Sequence, residues 1–283
     1  MTKILVHDGK AHTDDFLASC VCLHKLHDSS LERIAYPTED NLKNENVWVL
    51  DFGRQFDTEL HNFDHHQIEE EICAFTMVLD YFYGKKYREY CPELRFIEIF
   101  DSYGPKKAAE FAGIKEDNFD ILFSPISQAM IEVFSEISGS VKDPLLSVMK
   151  QIGSKVCYKI ENFEFLLSLL DNSNYFEYKK IKVLDVTKCT LPQDFVSQKQ
   201  IRPDMLPTKL YSKIKGIEPD IILTIDGRQG GFRMVSVNTE VIKFKPCEKA
   251  YFTHNSGFLT SFKNYEDYKL ILNEYTLRHE SKR

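Results

Sequence analysis

FDHHQ, residues 63–67, sets two of the chain's nine histidines side by side behind an aspartate. Upstream, HDGKAHTDD gathers His7, Asp8, His12, Asp14 and Asp15 into one short stretch, and VLDFG places Asp51 after an apolar run. With Asp64, His65 and His66 these residues offer imidazole nitrogens and carboxylate oxygens together. That mixture suits Mn²⁺, Zn²⁺ or Fe²⁺ more than Ca²⁺, with Mg²⁺ also compatible. An ion that keeps a position open for water takes about three protein ligands, and two ions ~3.5–4 Å apart share bridging groups. The set holds more ligands than one ion needs, which fits two. Such a pair lowers the pKa of water towards ~7 and clamps the oxygens of a phosphoryl group, so the reaction class is metal-assisted phosphoester hydrolysis. Taken singly, Asp14 and Asp15 read as dipole compensation at a helix start, Asp51 as a strand end satisfying its loop, and His7-Asp8 as a solvated pair. A plain loop seldom needs adjacent histidines, and the ordered set outweighs the single readings.

The elements that must bring these groups together are legible around them. KILVHD is a short apolar run, and the following TDDFLASCVCLHKLHD carries Phe16, Leu17, Cys20, Val21, Leu23 and Leu26 at helical spacing, with Thr13 or Asp14 as the expected N-cap. RIAYP and VWVLDF are further β-rich runs, the second nearly continuously apolar as a buried parallel strand should be. The prediction is an α/β fold with a doubly wound, mainly parallel sheet, which binds ligands beyond the carboxyl ends of its strands, where each cluster falls. From Cys73 to about Cys157 the pattern is helical (ICAFTMVLDYFYG, PELRFIEIFDSYG, ISQAMIEVFSEIS, DPLLSVMKQIGSKVCYKI) and continues through NFEFLLSLLDNS. KIKVLDV, DIILTIDG and FRMVSVNTEVIKF are again β-rich, before a final amphipathic helix YEDYKLILNEYTLRH. We expect a catalytic domain over residues 1–150, a helical connector over 151–180 and a smaller α/β substrate-binding domain over 181–283.

Composition narrows the classes. Apolar residues at 43% and charged residues at 28% are those of a globular protein. A net charge of −7 argues against a broad, sequence-independent duplex binder. It leaves a nuclease open, because bound cations reverse the local field where a phosphate sits. The seven cysteines are scattered without a CxxC pair, against both a disulfide framework and a thiolate zinc site. No run approaches the ~18 apolar residues of a membrane span, and MTKILVHDG enters the first strand without an Arg-rich presequence. The expectation is a soluble intracellular protein with no membrane partner, in cytoplasm or nucleus rather than mitochondrion.

HxxxxHTDD after the first strand, LDFG, FDHHQ and a later DSYG resemble the four motifs of the DHH phosphoesterase superfamily. HDGKAHTDDFLAS, FDHHQ and YFTHNSGFLTSF resemble, within it, the melanocyte proliferating gene family, described as 3′-to-5′ RNA exonucleases related to RecJ-type nucleases, oligoribonucleases and family II pyrophosphatases. Position by position, the resemblance implies that His7 and His12 hold a first metal, that Asp14, His65 and Asp101 hold a second, and that Asp51 bridges both. It also implies that His66 faces the scissile phosphate while Asp64 orients an imidazole and fixes its tautomer. Many superfamily members carry aspartate where this chain has His12, which removes one negative charge and moves metal preference away from Mg²⁺; two Mn²⁺ ions are the expected cofactors. In DHH nucleases the C-terminal region closes over the cleft with a glycine-rich phosphate-binding segment. DGRQGGFR offers Gly230 and Gly231 for close backbone approach and Arg228 and Arg233 for bidentate phosphate contacts, and it also reads as the turn of a β-hairpin. The resemblance places His254, Asn255, Ser256 and Gly257 of THNSGF at the substrate. The implied activity is a two-metal 3′-to-5′ exonuclease on RNA or short oligonucleotides, releasing nucleoside 5′-monophosphates. A small-molecule phosphatase or pyrophosphatase is the alternative, and a non-catalytic metal-containing scaffold comes after it. The oligomeric state stays open, a homodimer among the options.

Overall fold

The computed structural model describes residues 2–117, 123–193, 206–274 and 276–278. The chain is a mixed α/β protein that divides into two units, Met1–Glu161 and Asn162–Arg283, each with its own six-stranded sheet. Among the described residues no helix is long and apolar enough to cross a membrane.

In the first unit, β1 (Thr2–His7) leads through α1 (Thr13–Lys25) to β2 (Ser29–Ile34), then through α2 (Glu39–Leu42) to β3 (Val47–Leu50), β4 (Phe56–Asp57) and β5 (Asn62–Phe63). Helices α3 (Ala74–Tyr83), α4 (Pro92–Ala112) and α5 (Pro125–Ser135) follow, and β6 (Gly139–Ser140) closes the sheet. The strand order is β4-β5-β3-β1-β2-β6. Strands β5, β3, β1 and β2 run parallel, and the two short edge strands run antiparallel to them. Ile4, Leu5 and Val6 of β1 and all four residues of β3 are buried, as the interior strands of a parallel sheet require. β1 is flanked by β2 on one side and by β3 on the other, so the order reverses there. The carboxyl ends of β1 and β3 therefore flank a topological switch point, where α/β sheets leave a crevice.

Three local features depart from the sequence pattern. The N-cap of α1 is His12, ahead of the expected Thr13 or Asp14, because the Asp15 carboxylate turns back to accept the His12 N–H at 3.0 Å. β3 stops at Leu50, one residue before Asp51, whose φ of 63° lies in the left-handed region. The α4 helix does not end at DSYG; it kinks at Gly104 (φ 76°) ahead of Pro105 and runs on to Ala112. A long helix, α6 (Leu145–Leu170), crosses α1 closely: a Cβ at Gly153 would lie 1.9 Å from the Cys20 carbonyl oxygen. The single tryptophan, Trp48 on β3, is stacked on His61 at 4.4 Å and on Phe82 at 5.5 Å.

In the second unit the order is β12-β13-β10-β9-β8-β7, from β7 (Asn174–Tyr178), β8 (Ile181–Asp185), β9 (Ile221–Ile225), β10 (Phe232–Ser236), β12 (Ala250–Thr253) and β13 (Leu259–Phe262), while β11 (Ile242–Phe244) belongs to a separate two-stranded sheet. Only β8 and β9 pair in parallel. The DGRQGG turn joins β9 and β10 as an antiparallel hairpin. Val183, Ile221, Leu223, Met234 and Phe262 pack with Ile271 and Leu272, which lie on the helix Asp267–Glu274, to form this unit's core.

Candidate metal centre

His7 is the last residue of β1, Asp51 follows β3, and Asp64, His65 and His66 follow β5, so three parallel strands deliver their polar ends to one place. The start of α1 adds His12, Asp14 and Asp15, and α4 adds Asp101 from far along the chain. Asp51 is central. Its left-handed backbone costs about 1–3 kcal/mol in a residue with a side chain, and its carboxylate lies 3.4 Å from His7 Nε2 and 3.2 Å from His65 Nε2. His65 Nε2 also meets Asp101 at 3.0 Å, and His7 Nε2 meets Asp15 at 3.0 Å. Among the described residues, three overlapping groups have ligand atoms close enough to hold a cation: His7, His12 and Asp51; Asp51, His65 and His66; His12, Asp14 and Asp101.

The charges of the cluster are pushed hard by these contacts. Hydrogen bonds to Asp15 and Asp51 raise His7 to about 10. Burial pulls His65 down, but hydrogen bonds to Asp101 and Asp51 outweigh it and leave it at about 10. Burial alone would raise Asp51, yet His65 and His7 bring it down to about 2. Asp14 goes the other way. Burial, then the nearby charges of Asp51, Asp101 and Asp15, push it well above the carboxylate range. It is 1% exposed and neither oxygen has a hydrogen-bond partner. A buried carboxylate without a partner is costly, and a cation beside it removes that cost. The residues present therefore fit a divalent ion.

His66 is arranged differently from His65. Its Nδ1 lies 2.7 Å from Asp64 Oδ1, and its backbone N–H donates to the same oxygen at 3.0 Å. Asp64, itself buried, takes the Arg54 N–H on its other oxygen at 2.6 Å. Burial opposes ionisation of Asp64, but His66 holds it low, and Asp64 in turn raises His66. Asp64 thus fixes the ring with Nδ1 engaged and Nε2 free of it, while the His66 side chain stays 56% exposed.

Two residues have places at the site that the resemblance does not assign. Asp15, fully buried, holds His7 and the His12 N–H at once. Arg33 is also fully buried and donates to four backbone carbonyls: His7 at 3.1 Å, Gly9 at 3.0 Å, Ile137 at 3.3 Å, and Phe134. It therefore pins the end of β1 and the loop after it to the end of α5. The available signal was its place in β2, where Ser29, Leu31 and Arg33 occupy the buried alternate positions.

The substrate residues predicted in the second unit are brought together only in part. Arg228, Arg233 and His254 line a cavity of about 280 Å³ with Asp226 and Tyr251. Arg233 is not an open phosphate ligand: it is buried, and its Nη2 donates to Asp226 at 2.7 Å. A Cβ on Gly231 would lie 2.5 Å from the Phe262 carbonyl oxygen, and one on Gly257 would lie 2.7 Å from that of Phe244, so each glycine lets two stretches of backbone pack closely. Gly230 has open space and a φ of 71°, and its carbonyl accepts from Tyr251 at 3.0 Å. Ser256 is tied to His254, whose Nδ1 is 2.8 Å from its Oγ. Asn255 and Ser256 are exposed, and neither is among the residues lining the cavity.

Residues 3–83 match a family model labelled MYG1_exonuc and described as "Uncharacterised protein family (UPF0160)". The matched stretch carries every member of the cluster except Asp101. No curated protein matches the chain.

Proposed function

We propose that the chain is a metal-dependent phosphodiesterase, a 3′-to-5′ exonuclease acting on RNA or short oligonucleotides and releasing nucleoside 5′-monophosphates. The observation that carries this reading is Asp14, a buried, unpartnered carboxylate set among imidazoles and carboxylates at the carboxyl ends of parallel strands. The label of the matched family model, which names an exonuclease, supports it. The reversal of strand order at β1 supports a doubly wound sheet of the DHH kind.

His7, His12 and Asp51 would hold one ion, and Asp14, His65 and Asp101 would hold a second beside Asp51. The mixed imidazole and carboxylate set favours Mn²⁺ and tolerates Mg²⁺. When bound, the ions supply an activated water and neutralise phosphoryl charge. The chain's own residues do the rest. Asp15 and Arg33 hold His7 and its loop, and Asp51 is held forward by its strained backbone. His66, kept charged and oriented by Asp64, donates from Nε2 to a phosphoryl oxygen and stabilises the charge that develops there. The first unit is the catalytic domain. In the second, Arg228 and His254 are the residues assigned to hold RNA, and we place the protein in cytoplasm or nucleus.

Incubation of the purified protein with Mn²⁺ and 3′- or 5′-labelled RNA and DNA oligomers tests this directly. A ladder shortening from the 3′ end of RNA is the expected result. Cleavage of pyrophosphate with no oligonucleotide touched sinks the exonuclease reading in favour of the small-molecule one.

A further inference from the structure

We propose that the cavity beside the metal centre has a second, apolar end that receives the base of the terminal nucleotide, with the Tyr36 ring as its stacking surface. The proposal rests on the phosphodiesterase reading and lies wholly within the first unit. The cavity encloses about 560 Å³, within the ~300–1,000 Å³ usual for small-molecule sites. His7, His12, Asp51 and His66 line one part of it; Tyr36, Pro37, Leu42 and Phe52 line another. The topology explains why the two parts are neighbours. His7 is the register partner of Ile34, whose carbonyl accepts the Asp8 N–H at 3.0 Å, and Tyr36 follows Ile34 by two residues.

The apolar wall is built rather than incidental. Gly53, at φ 95°, lets the loop after Asp51 close on α2: a Cβ there would lie 3.0 Å from Leu42 Cδ2 and 3.1 Å from Pro37 Cγ. The next residue, Arg54, ties this wall to the phosphate end through its N–H on Asp64. Tyr36 is 85% exposed, so its ring is left open beside a predicted phosphate site rather than packed into the core. A nucleotide satisfies both ends at once, its phosphate at the imidazoles and its base on the tyrosine. Pyrophosphate or a sugar phosphate fills only the polar end. Stacking on a ring is sequence-tolerant, so the pocket accepts any base.

The test is calorimetric binding of AMP, UMP and ribose 5-phosphate to the full-length protein in Mn²⁺, for the wild type, Tyr36→Ala and Tyr36→Trp. We expect AMP to bind about tenfold or more tighter than ribose 5-phosphate, UMP to bind within a few-fold of AMP, and Tyr36→Ala to erase the advantage. Tyr36→Trp should keep it, and Mn²⁺ affinity should not change in either variant. Equal binding of AMP and ribose 5-phosphate, binding of neither at millimolar concentration, or full AMP affinity in Tyr36→Ala overturns the proposal. Oligonucleotide turnover is scored separately. Nucleotide preference without any cleavage keeps the pocket and removes the nuclease reading. Cleavage of RNA with a 3′-terminal abasic residue as fast as intact RNA keeps the nuclease reading and removes the pocket.

Discussion

Asp14 and Asp226 are both buried carboxylates, 1% and 3% exposed, and they are treated in opposite ways. Asp226 accepts the Arg228 N–H at 2.9 Å and Arg233 Nη2 at 2.7 Å on one oxygen, and the Tyr251 hydroxyl at 2.5 Å on the other. Burial would raise its pKa, but these donors bring it below the usual carboxylate value. Asp14 has no donor on either oxygen, and burial with neighbouring carboxylates raises it. The second unit thus balances its buried charge with its own side chains, and the first leaves a deficit that suits a ligand. Asp226 is satisfied by the fold itself, whereas Asp14 is left with room for a cation.

The contrast is open to breaking at several points. Asp51→Asn should lower Mn²⁺-dependent hydrolysis by ~10³-fold or more, the scale for groups that act as a unit, with the far-ultraviolet circular dichroism unchanged. Near-normal turnover would remove the first unit from the chemistry altogether. His66→Ala should cost ~10²-fold in kcat while elemental analysis still finds the ions bound, and His65→Ala should lose metal. Arg33→Met leaves every proposed ligand in place, yet should weaken Mn²⁺ binding by about 10–100-fold, as changes to groups that orient ligands do.

Smaller in effect, but sharper, is the pair Asp14→Asn and Asp226→Asn. Without metal, Asp14→Asn should raise Tm, because a carboxyl whose pKa is raised on folding costs stability at neutral pH, and it should abolish the further rise that Mn²⁺ gives the wild type. Asp226→Asn strips Arg233 of its partner and should destabilise by about 3 kcal/mol, with or without Mn²⁺. Acid titration separates the two again. A carboxylate held below its unfolded value contributes stability above about pH 4 that is lost as pH falls through the folded value. That loss should be present in the wild-type second unit below about pH 4 and reduced in Asp226→Asn. Equal responses of the two variants to Mn²⁺ would dissolve the contrast.

The grouping of residues near one another in sequence is legible early. HDGKAHTDD and FDHHQ are each contiguous, follow apolar runs, and fall at strand ends. Asp101 is different: among its neighbours it is an ordinary helix residue before Ser-Tyr-Gly, and only packing brings it 3.0 Å from His65. Arg33 reads as a polar residue in a half-exposed strand, since its acceptors are carbonyls and no residue type announces them. Arg233 and Gly231 read as phosphate ligands in the sequence, and the structure gives Arg233 an internal partner in Asp226 and packs Gly231 against the Phe262 carbonyl. Long-range partners, invisible in a linear pattern, decide whether a polar side chain is available or already spent.

Trp48 lies on β3, three positions before Asp51, stacked between His61 and Phe82, and the chain has no other indole. Light absorbed near 295 nm is therefore emitted from the first unit alone. Its intensity should follow that unit's melting and its Mn²⁺ titration without any contribution from the second. The folding of one half of the chain can be watched in the intact protein, with no label added.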